Sequence, residues 1–365
     1  MQTKNHNLHL DGLRGIAILM VIFFHYFTGF YIFDFGWSGV DLFFILSGYL
    51  LSGRIIPYLA DKKIIWKFYV NRLLRIVPLY FSFLIIFYLL FYFISSNETQ
   101  NFSEQLKRPI IFFTFLCNWM FIANYNPVQH QLSHLWSLAV EEQFYLIFPI
   151  YIFVIKKNNL ILKTTLILIL SIFFLRSINC FFVNDNEILK IYWNSFYRMD
   201  SFLTGLIIYL LKENGFLDRN LKWIKLIFVF STISILIGCY VENTFRINYF
   251  FITIGFTIVA LACGCILIFT LNEKDNYFKK ITSNKSLIFL GKISFGLYIF
   301  HWPIYLTMFS VTNFLIRKLG FILSANNAQL INIVISFIVA TIISFISFKY
   351  YESIFLKWKF KLQIP

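Results

Sequence analysis

Apolar residues in this chain run in long stretches, and the charged residues gather in the short gaps between them. A helix needs roughly 20 mostly apolar residues to cross about 30 Å of hydrocarbon. Runs of that kind occur at 13–33, 37–53, 78–94, 135–155, 164–182, 194–211, 226–241, 249–271, 287–310 and 329–348. A further apolar run at 109–123 is short and ambiguous. The pattern predicts an all-α fold, a polytopic transmembrane helix bundle of about ten spans.

Basic residues set the orientation, because Lys and Arg are retained on the cytoplasmic side. The segment from Arg54 to Arg75 is strongly basic, and Lys156, Lys157 and Lys163 mark a second loop of the same kind. Between two cytoplasmic loops the chain crosses an even number of times. The runs 78–94 and 135–155 supply two crossings, so 109–123 is expected to be re-entrant or to lie on the far surface. The clusters at Lys212–Lys225, Lys274–Lys285 and Lys349–Lys361 continue the parity. Together the five inner segments hold 21 basic residues, against six outside: Lys107, Arg108, Lys190, Arg246, Arg317 and Lys318. Both the N-terminus and the C-terminus are therefore expected in the cytoplasm.

Composition agrees with this reading. Of 365 residues, 59% are hydrophobic and 13% charged, against about 45–50% and about 25% in soluble domains. Disordered chains, soluble enzymes and disulfide scaffolds are excluded. The net charge of +15 follows from the loop clusters and implies no nucleic acid. The five cysteines (Cys117, Cys180, Cys239, Cys263, Cys265) have no metal-ligand spacing, so no metal is expected. No cleavable signal peptide is evident, and the chain reads as a single domain over 1–365. A composition heavy in Phe, Ile, Lys and Asn points to an A+T-rich bacterial genome, and so to the bacterial cytoplasmic (inner) membrane.

Ionisable groups inside spans are costly and mark candidate sites. At about 1.5 Å per residue, His25 lies roughly 12 Å below the outer face, Glu141 and Glu142 roughly 9–11 Å, Arg198 and Asp200 roughly 6–9 Å, and His301 roughly 13 Å. Four helices thus place such groups in one slab of the outer half. Each has a plainer reading: His301 as a structural donor, Arg198 and Asp200 as a local ion pair or helix-end anchor, and one of the two glutamates as structural. Arg14 and His25 are eleven residues apart, close to three turns, so they share one helix face about 16 Å apart. That face suits a long ligand, anionic at one end and reactive at the other. Arg72 and Arg75, one turn apart before Pro78, supply guanidinium forks that grip phosphate; alternatively they only set topology or hold lipid head groups.

These residues lie in strings that resemble the membrane-bound acyltransferase-3 family. LDGLRGIAILMVIFFH (Leu10–His25) carries an Arg and a His separated by ten residues, and GVDLFFILSGYLL (Gly39–Leu51) holds Ser47-Gly48 at the SG position. NRLLRIVPLY (Asn71–Tyr80) gives Arg-x-x-Arg followed by Pro. HLWSLAVEEQFYLIFP (His134–Pro149), YRMDSFLTG (Tyr197–Gly205), LGKISFGLYIFHWP (Leu290–Pro303) and the late Tyr351-Glu352 follow in the family's order. The resemblance covers essentially the whole chain.

The resemblance implies an integral membrane O-acyltransferase of surface sugars. Acyl-CoA, expected to be acetyl-CoA, is the co-substrate on the cytoplasmic side. A hydroxyl of a cell-surface or lipid-linked saccharide accepts the group, as in O-antigen (lipopolysaccharide), peptidoglycan or exopolysaccharide. Partners are then membrane lipid, the saccharide acceptor and polysaccharide-assembly proteins. The extracytoplasmic hydrolase-like domain of many relatives is expected to be absent. The implied roles are phosphate binding for Arg14, Arg72 and Arg75, and general base or acyl carrier for His25. Glu142, preferred over Glu141, would orient the imidazole. Ser47, Tyr145, Tyr298 and His301 are candidate oxyanion donors, and Arg198 and Asp200 remain candidate substrate contacts. Alternative readings are acylation of a small molecule such as a macrolide, a proton-coupled transporter or flippase, and a scaffold. Release of free CoA from acetyl-CoA separates the enzyme from the last two.

Overall fold

The computed structural model describes residues 7–28, 30–59, 61, 63–94, 108–123, 131–184, 187–272, 276–318 and 324–361, and among these there are helices and no strands. The long helices are α1 (Leu8–Tyr26), α2 (Gly39–Ile55), α3 (Ile64–Ile94), α4 (Trp136–Ile155), α5 (Asn158–Cys180), α6 (Ser195–Glu213), α7 (Leu221–Val241), α8 (Phe256–Leu271), α9 (Lys285–Lys292), α10 (Ser294–Lys318) and α11 (Ala325–Ile346). Among the described residues, nine helices are long and apolar enough to cross a membrane. The tenth expected run, 194–211, does form a helix, α6. It is absent from the nine because Arg198, Asp200, Lys212 and Glu213 dilute its apolar character. The run 287–310 is divided between α9 and α10 by a turn at Ile293.

The segment 109–123 forms two short helices, Pro109–Phe113 and Cys117–Ala123, of 5 and 7 residues. At 1.5 Å per residue neither can cross a bilayer. Phe115 between them has φ 54°, which turns the chain back. Asn118 donates to the Trp193 carbonyl (3.1 Å) and to Ser195 Oγ (2.9 Å), while Gln143 donates to the Phe115 carbonyl (2.7 Å) and to Asn118 Oδ1 (2.9 Å). The segment is thereby hydrogen-bonded to Gln143 inside α4 and to the start of α6.

Helices in lipid gain little from the hydrophobic effect and associate where small residues let backbones meet. α1 lies in this way on α9 and on Thr282, the last residue of the short helix before it. A Cβ at Gly12 would sit 1.9 Å from the Thr282 carbonyl oxygen, one at Gly15 2.1 Å from that of Leu287, and one at Gly291 1.8 Å from that of Asp11. α2 meets α6 similarly, with Gly48 against the Phe202 carbonyl (2.0 Å) and Gly205 against that of Ile45 (2.2 Å). These two seams hold α1 and α2, which carry Arg14, His25 and Ser47. Asn7 caps α1 by accepting from the His9 N–H (3.0 Å).

Candidate functional site

A cavity of about 80 Å³ lies between α1, α2, α3, α4 and α10. Its polar lining is Arg14, Arg72 and Arg75, with Ser47, Ser137, Glu141, Tyr145, Ser294 and Tyr298. The structure thus brings together all three arginines singled out in the sequence, although they come from α1 and α3. Arg14 bonds Asp11 (3.3 Å), one turn earlier. Arg72 is 9% exposed, stacks over the Tyr145 ring at 4.1 Å, and has no hydrogen-bond partner for its Nε. Among the described residues neither Arg72 nor Arg75 is within ion-pair distance of a carboxylate. Cations that converge on a cavity with so little compensation make an anion-binding site.

Glu141 is the one carboxylate in the lining. Its Oε1 accepts from Ser47 Oγ at 2.5 Å and also from the Tyr145 hydroxyl. Both hydroxyls were expected as oxyanion donors, and here both are committed to Glu141. Glu142 is outside the lining, and its Oε1 is buried without a hydrogen-bond partner. Consecutive helix positions point about 100° apart, so only one glutamate can face the cavity. The expected contact of Glu142 with the imidazole is absent, and the same holds for Glu141.

The neighbours of His25 are on α10. Its ring lies 5.0 Å from the rings of both His301 and Trp302. The His301 Nδ1 has the carbonyls of Leu297 (3.0 Å) and Tyr298 (2.8 Å) beside it. Carbonyls only accept, so this nitrogen carries the hydrogen, and in the neutral ring Nε2 carries the lone pair. That Nε2 is 3.3 Å from His25 Nδ1, which also lies 2.8 Å from the Val21 carbonyl. Two acceptors therefore hold the His25 proton on Nδ1 and leave Nε2 as the basic nitrogen. His301 is a positioning partner in this arrangement, with no hydrogen left to offer an oxyanion while it is neutral.

Tyr298 joins the cavity to this cluster. It lines the cavity, bonds Ser137 Oγ (2.5 Å), donates to the His134 carbonyl, and has its ring 5.8 Å from that of His301. His134 completes the group, 5.2 Å from His301 ring to ring, with its Nε2 3.2 Å from the Ile299 carbonyl. His134 and Ser137 were not singled out in the sequence, although both fall inside the string His134–Pro149. Arg14 lines the cavity together with Ser294 and Tyr298 of α10, and His25 lies against His301 of the same helix.

The single slab of charges divides into separate places. His25 and His301 meet. Glu141 lies instead with the arginines, because α4 begins beside His134 and runs seven residues, about 10 Å, further. Arg198 and Asp200 are outside the cavity and do not pair with each other. Arg198 donates to Asp41 of α2 (2.6 Å), which also accepts from Ser201 (2.7 Å), and its guanidinium lies over the Phe256 ring at 4.2 Å. Asp200 accepts from Arg176 of α5 (2.8 Å), whose other contacts include Thr257 (2.6 Å). All four charged groups are buried. They tie α2, α5 and α6 together, and the expectation of a local Arg198–Asp200 pair is corrected to two inter-helix pairs. Asp41 and Arg176 were missed because each was read as part of an apolar run.

A family model described as an acyltransferase domain matches residues 7–349. The chain belongs to the acyltransferase-3 family. Among curated proteins of this family it is 30% identical over 315 residues to O-acetyltransferase OatA of Staphylococcus aureus, covering 81% of this chain and 50% of that protein. It is 27% identical over 320 residues to peptidoglycan O-acetyltransferase OatA of Listeria monocytogenes, covering 81% and 49%. The chain therefore spans about half the length of these acyltransferase-3 relatives. No solved structure matches it. Among the described residues no group of three or more His, Cys, Asp or Glu is arranged to hold a metal ion.

Proposed function

We propose that the protein transfers an acetyl group from cytoplasmic acetyl-CoA to a hydroxyl of a cell-surface or lipid-linked saccharide. The observation that carries this reading is the cavity in which Arg14, Arg72 and Arg75 converge, linked through Tyr298 to the pair His301–His25. The relatives named as O-acetyltransferases, one of them acting on peptidoglycan, support the acyl group and the polymeric acceptor. The basic loops support placing the arginine end on the cytoplasmic side.

The donor set fits a phosphate. Arg72 has an orphaned Nε, and two of the three guanidiniums have no carboxylate partner. At about 80 Å³ the cavity is smaller than the roughly 300–1,000 Å³ of pockets that enclose a whole ligand. The arginines therefore grip one phosphate group, with the rest of the nucleotide toward the loop side. The pantetheine arm of the bound donor leads from the arginines past Ser137 and Tyr298 toward His25. Glu141 holds Ser47 and Tyr145 in place and offsets part of the positive charge between turnovers.

His25, with its proton fixed on Nδ1, presents Nε2 as general base to the acceptor hydroxyl. The oxygen attacks the thioester carbonyl, the tetrahedral intermediate collapses, and CoA leaves as thiol with the proton that Nε2 collected. The same Nε2 serves equally as the nucleophile of an acyl-imidazole relay. In the test, purified protein in lipid nanodiscs is incubated with acetyl-labelled CoA and cell-wall saccharide. Free CoA and labelled saccharide should form in equal amounts, and His25→Ala should abolish both while melting as the unaltered protein does. Full turnover in that variant would remove the imidazole from the mechanism.

A further inference from the structure

On the opposite side of α1 from the arginine cavity is a second and larger one, of about 680 Å³. Ile16 and Met20 of α1 form one wall, Thr232 and Ile235 of α7 another, and Ala262 and Cys263 of α8 the third. Along α7 the lining runs from Phe228 to Leu236, about 12 Å of helix. Four side chains in the lining bear hydroxyls; Tyr31 is exposed at the rim, and the other three are turned back on their own helices. Ser38 donates to the Phe35 carbonyl (2.8 Å), Thr232 to that of Phe228 (2.8 Å) and Thr282 to that of Phe278 (2.9 Å).

Such a wall offers water few partners, and a buried water needs two to four. A dry void of this size would forfeit the dispersion contacts of every group that lines it. Hydrocarbon is the filling that satisfies both conditions, and the bilayer supplies it. The two mouths differ in charge. At one, Asp34 and Arg246 pair with each other at 3.2 Å beside Tyr31, Ile32 and Phe245. At the other, Phe278 and Ile281 line the cavity from the short helix Tyr277–Thr282, which also bears Lys279 and the exposed Lys280, with exposed Lys285 just beyond. That end carries positive charge suited to a phosphodiester.

We propose that this cavity binds one acyl chain of an anionic bilayer phospholipid, whose head group rests at Lys279 and Lys280. The site is separate from the arginine cavity and does not depend on the catalytic reading. A chain seated there packs against α1 from behind and supports the helix that carries Arg14 and His25.

The test uses the full chain in nanodiscs of phosphatidylcholine containing phosphatidylglycerol with a diazirine-bearing acyl chain. After illumination, adducts should concentrate on peptides spanning 228–236 and 259–266, and excess unlabelled phosphatidylglycerol should remove them saturably. The same diazirine chain on phosphatidylcholine should label less, and Lys279→Gln with Lys280→Gln should erase that difference. Ala262→Phe should abolish the adduct by filling the cavity; the competition on unaltered protein stands whether or not this variant folds. Adducts spread over all lipid-facing helices without saturation would overturn the proposal. So would equal labelling by both lipids in the unaltered protein, or displacement by a polyprenyl phosphate and not by phosphatidylglycerol.

Discussion

The pair Arg198–Asp41 gives the sharpest test of how this bundle is held together. Both side chains are wholly buried and their closest atoms are 2.6 Å apart. Replacing Asp41 by Leu leaves a guanidinium in the interior whose Nε and Nη1 already have no hydrogen-bond partner. Its remaining close contacts are the Phe256 ring at 4.2 Å and the Tyr192 ring at 5.0 Å, and a desolvated cation–π contact is worth about 2 kcal/mol. Breaking a buried pair from one side costs about 3–5 kcal/mol, so Asp41→Leu should lose about that much. Arg198→Met should cost a similar amount, since Asp41 then keeps only the Ser201 hydroxyl at 2.7 Å. The double variant removes both desolvation penalties and should fall within about 2 kcal/mol of the parent in either direction, as replaced buried ion pairs commonly do. Unfolding in mixed detergent micelles, read by tryptophan fluorescence, measures all four corners of the cycle. A double variant that loses the sum of the two singles would refute the pairing. The acetyl-CoA assay adds a second reading: a stable but inactive double variant would return Arg198 to the substrate site.

Other outcomes follow from the cavity and the seams. Arg75→Ala should raise the KM for acetyl-CoA by about 10- to 100-fold with kcat little changed, because a charge-assisted hydrogen bond contributes about 1.5–3 kcal/mol; an unchanged KM in initial-rate kinetics would end its phosphate role. Glu141→Gln should depress turnover far more than Glu142→Gln, since only Glu141 organises Ser47 and Tyr145; the reverse order in the CoA-release assay would refute that assignment. Gly48→Ala should destabilise the α2–α6 seam by about 1–3 kcal/mol or more, as its Cβ would sit 2.0 Å from a backbone oxygen. Gly53→Ala, which meets only the Tyr209 ring at 3.2 Å, should be milder, and equal losses in micellar unfolding would argue against the seam.

The helical architecture was legible because apolar runs of the right length admit few other readings in a chain this poor in charge. Parity of the basic loops also anticipated that 109–123 does not cross, and the two short helices there agree. Arg14, Arg72 and Arg75 were found by residue type and spacing, and their convergence across α1 and α3 was the natural consequence. Pairings across helices were not legible. Whether Arg198 faces Asp200 or Asp41 depends on how α2 and α6 are rotated about Gly48 and Gly205, which no periodicity in one helix reveals. Which of Glu141 and Glu142 faces the cavity was not legible for the same reason. A 100° step decides which carboxylate enters the cavity, and the phase of α4 is set by its neighbours. Estimated depths misled where helices start at different heights, as α4 does beside His134.

The tie between His25 and His301 has a further consequence for biosynthesis. Membrane segments leave the ribosome in order, and the first helix waits in the bilayer until the segment holding Tyr298 and His301 arrives, some 275 residues later. Until then the nascent chain has an arginine on α1 but no imidazole relay beside it. A chain interrupted before that point lacks the α10 side chains that hold the His25 ring.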